Sequence, residues 1–265
     1  MENKRLKIGI LGLGLIGGSI LKALHSLDKY ELFAVSKSSY KEASEYGKTS
    51  PEIDILKDCD VIFVCSKMKD TKSNLKKLED VVRDDAVVAD VCSIKGFLND
   101  NYRFNYVPSH PMAGTEFSGF NHSFGELFYG AKWIIGSENE ILKNVIIDMG
   151  AKPVLMSFDK HDVAAAKISH LPMLISMALF DSADNDAKKI AASGFRDTTR
   201  LAMTNADLAY DMLNLNRENI LDAYKKFNEH FEKIVSLDEE EFKKYVETIA
   251  QKRTQMYDEN GKNTF

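Results

Sequence analysis

The sequence predicts an α/β fold, a doubly wound parallel sheet followed by an all-helical half, on three observations. A GxGxxG pattern joins an apolar, strand-like run to an amphipathic stretch within Lys7 to Ser19, KIGILGLGLIGGS. Strand-like apolar runs then alternate with helical segments as far as Met156, and from Asp159 onward the β signal stops. Alternation of that kind specifies parallel strands joined by right-handed helical crossovers, the Rossmann arrangement. Two domains follow, residues 1–157 and residues 158–265.

The glycine stretch organises the first domain. Gly12 lets the backbone turn, Gly14 lets a pyrophosphate approach it, and Gly17 lets helix and strand pack closely. Leu15 and Ile16 fall in the first helical turn, whose free N–H groups and dipole favour phosphate, so both are assigned to the cofactor site with the three glycines. An ordinary strand-to-helix turn is the competing reading. The apolar run before the glycines and the amphipathic pattern after them favour a dinucleotide site.

The next strand, Glu31 to Ser36, ends where an NAD site normally carries an acidic residue, about 20 residues past the glycines, to bond the ribose 2′-hydroxyl. Ser36 and Lys37 stand there instead. A hydroxyl plus a cation suits a 2′-phosphate, so the cofactor is NAD or NADP with NADP favoured. A lysine in an ordinary surface turn is the alternative. Residues Tyr40 to Tyr46 read as a short helix, and Ser50-Pro51 as a break.

Asp60 to Cys65 and Ala86 to Val91 are continuous apolar runs of strand length, as expected for parallel strands covered on both faces. Ser66, just past the first of them, is assigned to the cofactor site. A helix is predicted over Asp70 to Val82. Further strands are predicted over Phe104 to Pro108, Ala131 to Gly136 and Lys152 to Met156, with a helix from Glu138 to Met149. His161 to Asp184 reads as a long helix interrupted at Pro172. Leu213, Ile220, Tyr224, Phe227, Phe231 and Ile234 recur at helical steps, and Phe242, Val246, Ile249 and Met256 repeat the pattern. Large apolar residues on successive helices predict that this half is in part a homodimer interface; a monomeric helical core is the competing reading.

Composition narrows the function. The net charge of −5 gives no basic excess with which to grip nucleic acid. Three cysteines, Cys59, Cys65 and Cys92, lack CxxC spacing and read as reduced core residues. The N-terminus shows no apolar leader, and no run approaches membrane-spanning length, so a cytoplasmic protein is expected.

Ligands of open α/β sheets sit beyond the carboxyl ends of the strands. Ser93 follows the strand ending at Val91, and His110 and Glu116 lie in SHPMAGTEFSG after the strand ending at Val107. Neutral imidazole is the side chain best matched to removing an alcohol proton near neutral pH. On a regular helix His161 and His170 point to opposite faces, and no metal site is predicted. Arg196 and Arg200, one turn apart if helical, are either carboxylate holders or solvated charge paired with Asp197.

Together these segments resemble the prephenate dehydrogenase family of tyrosine biosynthesis, which includes arogenate dehydrogenases. The resemblance runs through GLGLIGGS, DVCSIKG, SHPMAGTEFSG, HD at 161–162, SHLP at 169–172 and GFRDTTRLA at 194–202. It implies a Rossmann domain followed by an all-helical dimerisation and substrate domain. It also implies that His110 is the base for the substrate's ring hydroxyl, held by Ser93. Arg200 would bind a substrate carboxylate beside Arg196, with Ser169 and His170 lining the site and Glu116 as a gating or polar contact from the loop. The chain departs from the family pattern at Met173, where a histidine is common, and at Ala209, where a tryptophan is. Both departures bear on whether prephenate or arogenate is the substrate. Other readings are a β-hydroxyacid-type dehydrogenase with a lysine base, and a dinucleotide sensor without turnover.

Overall fold

The structure is a computed structural model that describes residues 5–98, 100–115 and 117–259. Six strands form one parallel sheet: β1 (Lys7–Leu11), β2 (Glu31–Val35), β3 (Lys48–Ser50), β4 (Val61–Val64), β5 (Val87–Asp90) and β6 (Asn105–Tyr106), in the order β3-β2-β1-β4-β5-β6. The order reverses at β1, as in a doubly wound sheet.

Apart from Lys7 and Asp90 at their ends, the central strands are apolar because each of their faces meets a separate core. Ile8, Ile10, Val61, Phe63, Val87 and Ala89 share one cluster with Ile20 and Leu24 of α1 (Leu15–His25). Leu11, Ile62, Val64 and Val88 share the other with Leu75 and Leu78 of α2 (Met68–Leu78). The period-2 alternation of a strand thus sorts neighbouring residues to opposite layers.

Several expectations need correction. The region read as a helix over Tyr40 to Tyr46 is a short 3-10 turn at Glu42–Glu45, and β3 occupies the polar KTS segment just before the expected break at Pro51. The strands expected after Phe104 do not all extend the parallel sheet. Only Asn105–Tyr106 joins it. Ser109–Pro111 (β7), Lys132–Ile135 (β8) and Lys152–Leu155 (β9) form a separate three-stranded sheet, antiparallel between β7 and β8 and parallel between β8 and β9, with α3 (Glu140–Asp148) between the last two strands. Pro108 has no N–H with which to continue a ladder, and the chain turns away there. Ser109 then hooks onto Asp90, its N–H donating to the carboxylate at 3.2 Å and its hydroxyl to the backbone carbonyl at 2.6 Å.

From Phe158 the chain is helical. α4 (Phe158–Ala165), a π-helical turn (Ala166–His170) and α5 (Leu171–Ser182) make one continuous helix, so Pro172 does not interrupt it. The wider turn precedes the proline, which cannot donate to the preceding turn and pushes against it. By length and composition this helix could cross a membrane, contrary to the expectation that no run would reach that length. It nevertheless buries His161, Asp162 and His170 against the protein. α6 (Asn185–Lys189), α7 (Ser193–Thr198), α8 (Ala206–Leu215), α9 (Arg217–Val235) and α10 (Glu239–Glu259) follow. The predicted apolar stripe is largely uncovered: Tyr224, Phe227, Phe231, Phe242, Val246 and Ile249 are all exposed.

Candidate active site

The site is built where β5 ends. Asp90, its last residue, is fully buried and forms an ion pair with Lys95, which is 3% exposed. Two buried charges cost several kcal/mol each in lost hydration, roughly, unless further hydrogen bonds satisfy them. Here they do. Asp90 accepts from the Tyr106 hydroxyl at 2.9 Å and from the Cys92 N–H at 2.9 Å, while the Lys95 ammonium also donates to the Ser109 carbonyl. Ser109 Oγ accepts from the indole N–H of Trp133 at 3.0 Å. The residue before His110 is thereby pinned from several directions.

His110 sits in β7, opposite Ile134. It is half-buried. Its Nδ1 lies 2.9 Å from Nε2 of His161, whose Nδ1 lies 2.8 Å from Oδ1 of Asp162. The two rings meet edge-on with centroids 5.1 Å apart. Burial pushes the His110 pKa well below the usual histidine value, and the Lys95 ammonium, His161 and His170 push it the same way. The ring is therefore neutral at pH 7.

Asp162 is the hinge between halves. Burial alone would raise its pKa, but hydrogen bonds from His161 and from the N–H groups of Gly96 and Lys95 outweigh that and hold the carboxyl below its ordinary range. Asn216 donates one amide hydrogen to the Asp162 carbonyl at 2.8 Å and the other to Nδ1 of His170 at 3.1 Å. Burial pushes His170 down to about 4, against the charge of Asp162.

The expected opposition of His161 and His170 does not hold. Nine regular steps would separate them by about 180°. A π turn, Ala166–His170, lies between them, so the regular count does not apply, and both side chains are buried. Ser93 does not hold His110 either. Its buried hydroxyl has no hydrogen-bond partner among the described residues, and the position expected of it is taken by His161, which the fold brings in from the helical half.

The glycine loop has the shape a dinucleotide needs. Gly12 sits at φ +102°, and a Cβ there would lie 2.7 Å from the Cys65 carbonyl and 3.2 Å from the N of Ser66. A Cβ on Gly17 would lie 1.9 Å from the Gly12 carbonyl. A Cβ on Gly14 would meet nothing within 4 Å, and no described side chain caps the N-terminus of α1, where Leu15 and Ile16 lie. The loop is closed where it packs and open where phosphate would lie. After β2, the buried Ser36 hydroxyl accepts from the Ser39 N–H at 3.1 Å, while Lys37 is exposed with no ion pair among the described residues. Ser66 is half-buried beside Thr71, 3.1 Å between hydroxyls.

The remaining predicted residues are not gathered at His110. Arg196 and Arg200 lie on an open groove of about 520 Å³, with Phe180, Lys188, Phe195 and Met203, and its walls share no residue with the His110 cluster. Arg196 pairs with its neighbour Asp197 at 3.0 Å, the plain alternative foreseen for it. Ser169 is half-buried beside His170. Glu116 lies outside the described residues. Lys95, Asp90, His161, Asp162 and Asn216 were missed as site residues. Only the adjacent His-Asp pair at 161–162 carried a signal, since two polar, chemistry-bearing residues side by side in an apolar helix call for partners.

Two family models match the chain: "Prephenate dehydrogenase, nucleotide-binding domain" over residues 24–154 and "Prephenate dehydrogenase, dimerization domain" over residues 157–251. Among characterised sequences, it is 28% identical to a prephenate dehydrogenase of Bacillus subtilis over 91% of this chain and 72% of that protein. It is 26% identical to a cyclohexadienyl dehydrogenase of Zymomonas mobilis over 83% of this chain and 84% of that one. Among solved structures, prephenate dehydrogenase from A. aeolicus, in complex with hydroxyphenyl propionate and NAD+, superposes with a TM-score of 0.83 at 25% identity, covering 97% of this chain and 100% of that one. Synechocystis arogenate dehydrogenase does so at 0.82 and 26% identity, covering 95% and 100%.

Proposed function

The chain belongs to the prephenate dehydrogenase family, and from that premise we propose that it oxidatively decarboxylates prephenate to 4-hydroxyphenylpyruvate with an NAD(P) cofactor. The observation that carries the reading is His110: a neutral imidazole next to Ser109, which is bonded to the end of β5 in the dinucleotide-type sheet, with Nδ1 engaged by protein and Nε2 without a hydrogen-bond partner among the described residues. That is the state a general base must start from.

Gly12, Gly14, Gly17, Leu15, Ile16 and Ser66 would hold the cofactor, which when bound supplies the hydride acceptor. Ser36 and Lys37 would meet the ribose 2′ position, and the unpaired Lys37 cation favours the 2′-phosphate of NADP. His110 takes the proton of the substrate's ring hydroxyl as its carbon is oxidised. The dienone so formed loses carbon dioxide because the ring becomes aromatic, so the protein's work is orientation, proton acceptance and charge complementarity. The orphaned Ser93 hydroxyl is assigned to the substrate's hydroxyl, Ser169 and His170 to the wall of the site, and Glu116 to a gating or polar contact with the substrate. Arg200, beside Arg196 in a groove that combines cations with Phe180 and Phe195, is assigned to a substrate carboxylate.

Residues 1–157 and 158–265 are proposed as the two domains. A second copy of the chain is proposed to cover the exposed apolar stripe of α9 and α10, in a cytoplasmic homodimer. Arogenate is the competing substrate, on the strength of the buried apolar Met173 and of Ala209. Steady-state rates with prephenate or arogenate against NAD or NADP test the reading. Turnover of prephenate supports it, turnover of arogenate alone replaces the substrate, and absence of turnover in all four combinations overturns it.

A further inference from the structure

We propose that His161 and Asp162 are positioning residues that fix the proton of His110 on Nδ1 and so leave Nε2 as its basic nitrogen. The proposal deepens the reading of His110 as the base and rests on it.

The argument is one of counting hydrogens. Asp162 accepts from the backbone N–H of Lys95 at 2.9 Å and of Gly96 at 2.8 Å. These two donors, with the contact to His161, hold the carboxyl below its ordinary range, so it is ionised at neutral pH and can only accept. The hydrogen in the 2.8 Å contact with His161 therefore sits on His161 Nδ1. A neutral His161 then presents a lone pair at Nε2, and the 2.9 Å contact with His110 must be filled by a hydrogen on His110 Nδ1. The alternative, a second proton on His161, would place a cation in a 2% exposed site that already holds the buried Lys95 ammonium.

The consequence for proton transfer is direct. One O–H bond of the substrate breaks and one N–H bond forms at His110 Nε2. The Nδ1–H already points at His161, whose own Nδ1–H points at the Asp162 carboxylate, so the positive charge on the imidazolium faces an aligned row of dipoles ending in an anion. No other bond changes. The fold supplies these parts from separate places, β7 for His110, α4 for the pair, and the turn after β5 for the N–H groups that hold the carboxylate.

The test reads the tautomer before it reads the rate. In nitrogen NMR of the full chain labelled at histidine, without substrate at neutral pH, the His110 signals, identified by their loss in His110→Asn, should show a protonated Nδ1 and a bare Nε2. The reverse pattern overturns the proposal. His161→Leu should move His110 toward the Nε2–H form that free histidine favours in water, and lower kcat by about 10²-fold with KM unchanged. His161→Gln, whose carbonyl can accept from His110 Nδ1–H, should recover most of that loss. A loss matched by a rise in KM, with the His110 signals unmoved, would show a structural role only and overturn it. If His161→Leu fails to fold, the wild-type spectrum and His161→Gln still decide. Near-normal turnover of His110→Asn would defeat the assignment of the base, a separate failure that leaves the tautomer as measured.

Discussion

Asp162 Oδ2 accepts the backbone N–H of Gly96 at 2.8 Å, so a carboxylate of the helical half holds the turn that leaves β5. The same carboxylate anchors His161, and through it His110. A Cβ on residue 96 would stand 3.2 Å from Oδ2, tighter than ordinary contact, so Asp162 must give by a few tenths of an ångström. Gly96→Ala should cost about 1 kcal/mol in urea unfolding yet lower kcat by about 10-fold, since small misplacements of a catalytic group are amplified in rate. An unchanged kcat would show that the link does not govern the chemistry.

His110→Asn should lower kcat by roughly 10² to 10⁴, the usual size of an acid–base contribution, with little change in cofactor affinity. The acid side of the rate profile follows from the lowered pKa of His110. The base is neutral above that value, so kcat/KM should be level through pH 7 and fall only well below pH 6.5. A fall centred at or above pH 6.5 would assign the limb to another group.

How far the sequence disclosed this arrangement depends on the range of each cause. The glycine turn was readable because Gly12, Gly14 and Gly17 answer to local geometry, and β1, β4 and β5 because both faces of each are apolar. β3 was not, since its three residues, KTS, carry no apolar pattern and gain their pairing only from β2. The small second sheet was not, because the turn at Pro108 is set by Ser109 reaching back to Asp90, 19 residues earlier. The contact of His110 with His161 spans 51 residues and depends on no local pattern at all. Nothing local to Lys95 marks it as buried. Its burial is legible only once Asp90 and the Ser109 carbonyl are seen to surround it.

Lys37→Asp should raise the KM for NADP by far more than that for NAD. The side chain is exposed and has no ion pair among the described residues, so its charge is available to a 2′-phosphate, and reversing it repels that group while leaving a ribose hydroxyl a carboxylate to bond. Equal effects on both cofactors would mean the residue never meets the 2′ position.

His170 links stability to pH. Its pKa is lowered by burial from the ordinary 6.5 to about 4, so the unfolded chain binds its proton more readily. The contribution is complete above pH 6.5 and is lost as pH falls toward 4, with a limit on the order of 3 kcal/mol and about 2 of it gone by pH 5. His110, whose pKa is pushed the same way, acts with the same sign. Urea unfolding at pH 7 and pH 5 should show that loss, and His170→Gln should flatten it. An equal slope in the variant would place the titration elsewhere.

Gly14 and Gly17 allow the cofactor role of the loop to be separated from its packing role. Alanine at 17 would drive a methyl group to 1.9 Å from the Gly12 carbonyl, a backbone atom that cannot swing aside, so Gly17→Ala should unfold at a markedly lower temperature whether or not cofactor is present. Alanine at 14 meets no protein atom within 4 Å, and the residue's φ of −88° is open to any side chain. Gly14→Ala should therefore keep the Tm of the free protein. What it fills is the space beside the N-terminus of α1 through which a pyrophosphate would approach the backbone. Its effect should appear as a rise in the KM for NAD(P) and as a loss of the upward shift in Tm that saturating cofactor gives the parent protein. If Gly14→Ala bound cofactor with parental affinity, the phosphates would have to lie elsewhere, and the assignment of this loop would fall with them.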